Sequence, residues 1–305
     1  MNESDVREFW NAHPCGDHIV GGLHGEFADD YERFFAAYDA WRYDQEAHIP
    51  ACLDRFDFRE RRVLEIGLGQ GAESEQIIRR GGRWSGLDLT RESVDRVRAR
   101  LELRSLPHDD LRQGSALDIP WPDNTFEVVF SHGVLHHVMD IHTAQSEIHR
   151  VLKPGGTLVA MLYARGSLNY QVSIRILRRA VLAAAYPLRR SRFLPASPML
   201  RQHLANAERE GLRRYLALDT FTHRNTDGPL NPYARVYSPR EVAEDFPDFE
   251  LLDAYPRYMH APPLPVRWLP LQRWLGWHLW VHLRARPAPA RVEQPPLADE
   301  AVRRE

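Results

Sequence analysis

The stretch Arg61-Arg62-Val63-Leu64-Glu65-Ile66-Gly67-Leu68-Gly69-Gln70-Gly71 decides how the chain is read. Val63 to Ile66 is a short apolar run with one acid, and it ends directly in glycines at alternate positions. That pattern predicts a buried parallel strand entering a tight turn. Ala72 to Arg80 then predicts a helix, with Ile77 and Ile78 available to face a sheet. Glycines suit such a turn because they tolerate positive φ and let a ligand approach the backbone. The helix start beyond them offers unpaired N–H groups and the positive end of a dipole. Gly67, Gly69 and Ala72 also satisfy the loose dinucleotide pattern G-x-G-x-x-G/A, so the turn alone says nucleotide and no more.

Composition narrows the field around that turn. The 305 residues are 43% hydrophobic, enough for one large core or a core plus a smaller lobe. A net charge of −2 makes no bulk electrostatic case for nucleic acid. Lys153 is the only lysine and sits in a Lys-Pro-Gly-Gly turn, which argues against Schiff-base and Walker-type lysine chemistry. Cys15 and Cys52 are too few for a disulfide framework and lack zinc-finger spacing. The polar N-terminus has no signal-peptide character, and no apolar run nears the roughly 18 residues of a membrane span. A cytoplasmic protein without stable membrane insertion is the expectation.

Glu65 lies two residues before the first glycine, and the glycines run G-x-G-x-G. This E-x-G-x-G-x-G string resembles motif I of the class I S-adenosylmethionine (SAM) methyltransferases. The resemblance continues in order over residues 61 to 165. Asp88 ends the expected strand Trp84–Leu89, 21 residues past Gly67, where an acid reaches ribose hydroxyls. Gly114-Ser115-Ala116 follows the third strand, with Ser115 where the family usually carries an acid for the adenine amino group. Strand Phe126–Phe130 runs into Ser131-His132-Gly133-Val134-Leu135-His136-His137, which resembles the family segment beside the methionine end of the cofactor. Helix Asp140–Leu152 leads to Arg150-Val151-Leu152-Lys153-Pro154-Gly155-Gly156, a structural mark of the family.

The resemblance implies an α/β fold: a Rossmann-like, doubly wound, seven-stranded sheet whose last strand is antiparallel. It implies SAM as cofactor, held by Glu65, Gly67, Gly69, Gly71, Asp88, Leu89, Ser115, Ala116 and His132. The rest of the chain falls into a helical N-terminal lid (1–57), the SAM-binding core (58–165), an inserted cap (166–238), strands completing the sheet (239–285) and a disordered tail (286–305). Val6, Phe9, Trp10 and His13 share one helix face of the lid. Ser167–Arg192 is a cationic amphipathic helix, read as a lobe helix ahead of a membrane-surface one. Of the tryptophans at 268, 274, 277 and 280, the last two are assigned to the final strand, Trp277–Arg284, ahead of a membrane interface.

In-line methyl transfer needs alignment, water exclusion and, for a protonated acceptor, a base. Trp10, Tyr163 and Tyr170 are the expected aromatic neighbours of a sulfonium. His132 is the candidate base, with Tyr170 and Asp227 as rivals, while His136 and His137 pack or cap. No acid or cysteine with ligand spacing accompanies these histidines, so no metal is expected. Cys15 reads as a structural or lid residue. Asp227, Asn231, Tyr233, Arg235 and Tyr237 form a polar cluster suited to gripping a small polar metabolite, the expected substrate. Two other readings stay open: a SAM-consuming cyclase releasing methylthioadenosine with azetidine-2-carboxylate, and a non-catalytic SAM-binding protein.

Overall fold

A computed structural model describes residues 2–191 and 197–287. The expected disordered tail lies outside the described residues from 288 onward.

The central strands form where the chain is buried on both faces, as a sheet sandwiched between helices demands. β1 (Arg62–Ile66), β2 (Arg83–Asp88), β3 (Asp110–Gln113), β4 (Phe126–His132) and β5 (Leu152–Ala164) are parallel neighbours in the order β3-β2-β1-β4-β5. β6 (Val236–Tyr237) adds two residues parallel to the end of β5. β7 (Phe249–Arg257) and β8 (His278–Ala285) complete the far edge, with β8 antiparallel to both β5 and β7. The sheet therefore has eight strands rather than seven, the extra one being β6. The chain leaves β1 toward β2 on one side and resumes at β4 on the other, which opens a crevice at the C-terminal tips of β1 and β4.

Alternate residues of β1 feed two apolar layers. Leu64 and Ile66 pack with Ile148 of α6 (Ile141–Val151) and Val242 of α11 (Pro239–Asp245); Val63 packs with Leu53 of α3 (Ile49–Leu53), Ile77 of α4 (Ala72–Arg79) and Val97 of α5 (Arg91–Leu103). Ahead of the sheet stand α1 (Glu3–Ala12), capped by an Asn2–Asp5 box, and α2 (Tyr31–Gln45), capped by Asp30. Between β5 and β6 the chain forms a π-wound helix (Asn169–Arg178) continuing into α7 (Arg179–Ala185), then α8 (Pro198–Glu210), α9 (Leu212–Tyr215) and α10 (Leu218–Thr226). Tyr170, Ile174, Leu182, Leu204, Tyr215 and Phe221 give this cap an apolar cluster of its own. The tryptophans divide. Trp280 is buried in the sheet and Trp277 against the cap, while Trp268 and Trp274, beside α12 (Gln272–Leu275), are 77% and 66% exposed.

Candidate active site

A cavity of about 340 Å³ opens at the crevice and runs from the glycine turn to α1 and α2. At one end the backbone builds it. Gly67 has φ +79°, and a Cβ there would lie 2.1 Å from Val134 Cγ2, so only glycine fits. Gly69 has φ +51°, but its Cβ would meet nothing nearer than Cys15 Cβ at 3.7 Å; that side faces the cavity. Gly71 does not line the cavity. Its Cβ would press on Arg100 and Val97 at 3.1 Å, so it starts α4 against α5 rather than touching a ligand.

Asp88 lines the cavity and is 8% exposed. Its Oδ2 accepts from the Leu68 N–H at 2.7 Å, and its Oδ1 from the Thr90 N–H and Oγ1, both at 2.8 Å. Burial pushes its pKa up, against the pull of these donors. Asp88 thus ties the glycine turn to the start of α5. Glu65 also lines the cavity; its Oε2 accepts from Trp84 Nε1 at 2.7 Å, and burial raises its carboxyl to about 8. Leu89 and Ala116 are in the lining; Ser115 is not. The Ser115 hydroxyl donates to Glu3 of α1 and accepts from the Leu117 N–H at 2.9 Å, so it faces the lid helix. Glu3, which no local motif marks, lines the cavity instead.

At the other end side chains converge. Arg42 donates to Glu73 Oε1 at 2.8 and 3.0 Å, to Glu46 Oε1 at 3.1 Å and to His132 Nδ1 at 2.9 Å. A guanidinium has no acceptor, so His132 Nδ1 must accept and the neutral ring carries its proton on Nε2. Burial first, and Arg42 second, hold His132 well below the ordinary histidine range. His132 lines the cavity as a hydrogen-bond donor; the sequence reading of it as a base is corrected on that ground.

Asp227 has a different setting. Tyr163 donates its hydroxyl to Asp227 Oδ1 at 2.6 Å, and Asp227 Oδ2 lies 3.4 Å from His137 Nε2. His137 Nδ1 lies 2.6 Å from the Tyr233 carbonyl, which can only accept, so Nδ1 bears a proton. In the neutral ring its Nε2 is then an acceptor, 3.4 Å from the carboxylate. His137 lines the cavity under the edge of Trp10, ring centroids 5.2 Å apart. Its expected packing role is therefore corrected. Nothing in the His136-His137 string tells the two apart; His136 is buried 3.8 Å over the Tyr163 ring.

Other expected residues are placed elsewhere. Tyr170 is buried in the cap cluster, outside the cavity lining. The Tyr163 ring is sandwiched between His136 and Trp277, so only its hydroxyl serves the site. Asn231 donates to Thr226 Oγ1, Arg235 pairs with Asp245 at 2.5 Å, Tyr237 is buried in the sheet core, and the Tyr233 ring packs on His223. None of these four lines the cavity, because the 231–237 segment is spent on seating β6. Cys15 lines the cavity and is exposed at its mouth. Glu46, His132 and His278 do come within 4.8 Å of one another, an acid that ligand spacing could not reveal. Arg42 already puts a positive charge on two of the three.

Residues 64–160 match the profile of the methyltransferase domain family, over the same strands that build this crevice. This segment is a class I SAM-dependent methyltransferase domain. Its methyltransferase relatives resemble it over a short reach. A probable SAM-dependent methyltransferase of Mycolicibacterium smegmatis is 37% identical over 99 residues, 32% of this chain and 37% of that protein. A fatty-acid O-methyltransferase of the same organism is 33% identical over 102 residues, 33% of this chain and 36% of that protein. The chain thus spans little more than a third of either relative. A SAM-dependent methyltransferase structure from Mesorhizobium loti shares the fold of this chain, with a TM-score of 0.50 at 17% identity over 79% of this chain and 99% of that one.

Proposed function

We propose that the chain transfers the SAM methyl group to a small acceptor that presents an O–H, N–H or S–H group. The observation that carries this reading is one continuous cavity. It has a glycine-and-aspartate cradle at one end and His137, with Asp227 behind it, at the other.

The residues present fit SAM. The open side of Gly69 is a space that a side chain would fill, Asp88 and Glu65 are buried acids beside it, and Leu89 and Ala116 give the cradle apolar walls. Asp88, already accepting from the glycine turn and from Thr90, lines the cavity where ribose hydroxyls would meet its carboxylate. Glu3, held by Ser115, supplies the acid for an adenine amino group from the lid rather than from the core. When bound, SAM brings an electrophilic methyl on a sulfonium; all else falls to the protein. Trp10 offers its ring to that end of the cavity. The His132 Nε2–H has no partner among the described residues and is free to orient the acceptor. His137 at the cavity wall takes the acceptor proton, with Asp227, oriented by Tyr163, behind it.

The acceptor's charge follows from Arg42, the only cation lining the cavity among the described residues apart from histidine. Glu46 and Glu73 neutralise it, so an anionic acceptor finds no free counter-charge; a neutral or cationic polar metabolite fits better. The test is incubation with SAM alone and with metabolite extracts, reading both thioether products by mass spectrometry. S-adenosylhomocysteine that appears only with extract is the expected result. Methylthioadenosine from SAM alone would replace transfer with cyclisation, and neither product would leave a binding protein.

A further inference from the structure

Charge along this chain is segregated. Residues 165–207 contain eight arginines, and residues 254–292 contain six, with no Asp, Glu or Lys in either stretch. Together they carry +14 in a chain of net −2, which leaves −16 on the remainder. The two stretches, far apart in sequence, meet in the fold. Leu168 packs with Leu264, Val266, Leu269 and Leu275, and the Pro262 carbonyl accepts from Ser173 Oγ and from Arg178 Nε.

The same two stretches expose large apolar side chains. Trp268 is 77% exposed, Trp274 66%, and Ile176 and Met199 58% each. Folded domains seldom leave two indoles in water without use, since each forfeits the gain of burying a large apolar surface. Arg175, Arg201 and Arg273 of the same two stretches are exposed and without an acidic partner among the described residues.

We propose that this face docks the protein on the surface of an anionic lipid bilayer. Indole rings seat at the level of lipid headgroups, and neighbouring guanidinium groups pair with anionic phosphates. A symmetric contact with a second copy would bury the tryptophans equally well, but it would press two strongly cationic faces together. A nucleic-acid backbone would reward the arginines and leave the aliphatic tips in water. No described helix is long and apolar enough to cross a membrane, so the contact is peripheral. Docking is independent of the methyl-transfer reading and stands or falls separately from it.

Co-sedimentation with vesicles tests it. The full chain is expected to bind vesicles containing roughly one-third phosphatidylglycerol, to release in high salt, and to ignore pure phosphatidylcholine. The Trp268→Ala/Trp274→Ala and Arg175→Glu/Arg273→Glu variants are each expected to lose about tenfold or more in vesicle affinity with unchanged Tm. Equal binding to both vesicle types, no binding to either, or undiminished binding by either variant would overturn the proposal. So would capture of a single-stranded RNA homopolymer, or self-association abolished by the tryptophan variant, in the absence of vesicle binding.

Discussion

The two ends of the cavity are built on opposite plans. The nucleotide end comes from backbone in two short segments, 65–70 and 88–90, whose glycines and one carboxylate hold a fixed turn. The acceptor end comes from side chains scattered over the chain: Cys15, Arg42, Glu73, His132, His137 and, behind them, Asp227. A backbone cradle tolerates changes in side chains around it and fails when a Cβ intrudes. A side-chain cluster tolerates backbone drift and fails when a proton is misplaced. Substitutions at the two ends should therefore separate binding from turnover.

The largest expected effect tests that separation directly. Asp227→Asn removes the carboxylate behind His137, and kcat is expected to fall by about 10²–10⁴-fold with SAM affinity unchanged. His137→Gln should fall in the same direction, again with SAM affinity unchanged. Parallel loss of SAM affinity, measured by calorimetry, would show instead that the pair merely supports the cradle.

At the nucleotide end the two glycines provide an internal contrast. Gly67→Ala drives a Cβ into Val134 at a positive φ, so a loss of about 2–4 kcal/mol in stability is expected, read from urea unfolding. Gly69→Ala carries only the left-handed backbone cost of about 1–2 kcal/mol, and its effect should fall on SAM binding. If both variants lose stability equally, Gly69 is not an open wall. Asp88→Ala should weaken SAM by roughly 1–3 kcal/mol. Glu3→Gln should cost less, about 1 kcal/mol, because a surface helix carries it. Loss of affinity in Glu3→Gln without loss in Ser115→Ala would separate the acid from the serine that holds it.

This contrast also explains what the sequence could tell. A strand ending in glycines, an acid at the next strand's tip and a helix stopped by Lys153-Pro154-Gly155-Gly156 are local patterns, and local patterns survive as text. They give the sheet, its antiparallel strand and most of the cradle. Gly71 and Ser115 obey the same patterns and yet do not line the cavity: one is pinned by Val97 and Arg100, the other turned by Glu3. The polar run 227–237 looked like a binding loop because polarity does not say whether a group faces a ligand or a neighbour. Arg235 faces Asp245, and Tyr237 faces the core. The role of His137 depends on which carbonyl lies behind its Nδ1, a fact about position 233 that no spacing encodes.

The smallest expected effect concerns the acid that joins the two plans. Glu65 belongs to the motif, yet it is buried with a carboxyl raised to about 8 by desolvation, the Trp84 N–H opposing that shift. A carboxyl whose folded pKa lies above its unfolded one binds a proton more tightly when folded. Its contribution to stability is thus complete below the unfolded value near 4.5 and declines as pH rises toward 8. Glu65→Gln keeps an acceptor for Trp84 and removes the titration. The variant should lose less stability than the wild type between pH 5 and 8.5 in parallel urea titrations. Identical pH slopes would mean that Glu65 is ionised in the fold, as a carboxylate already committed to the cofactor end would be.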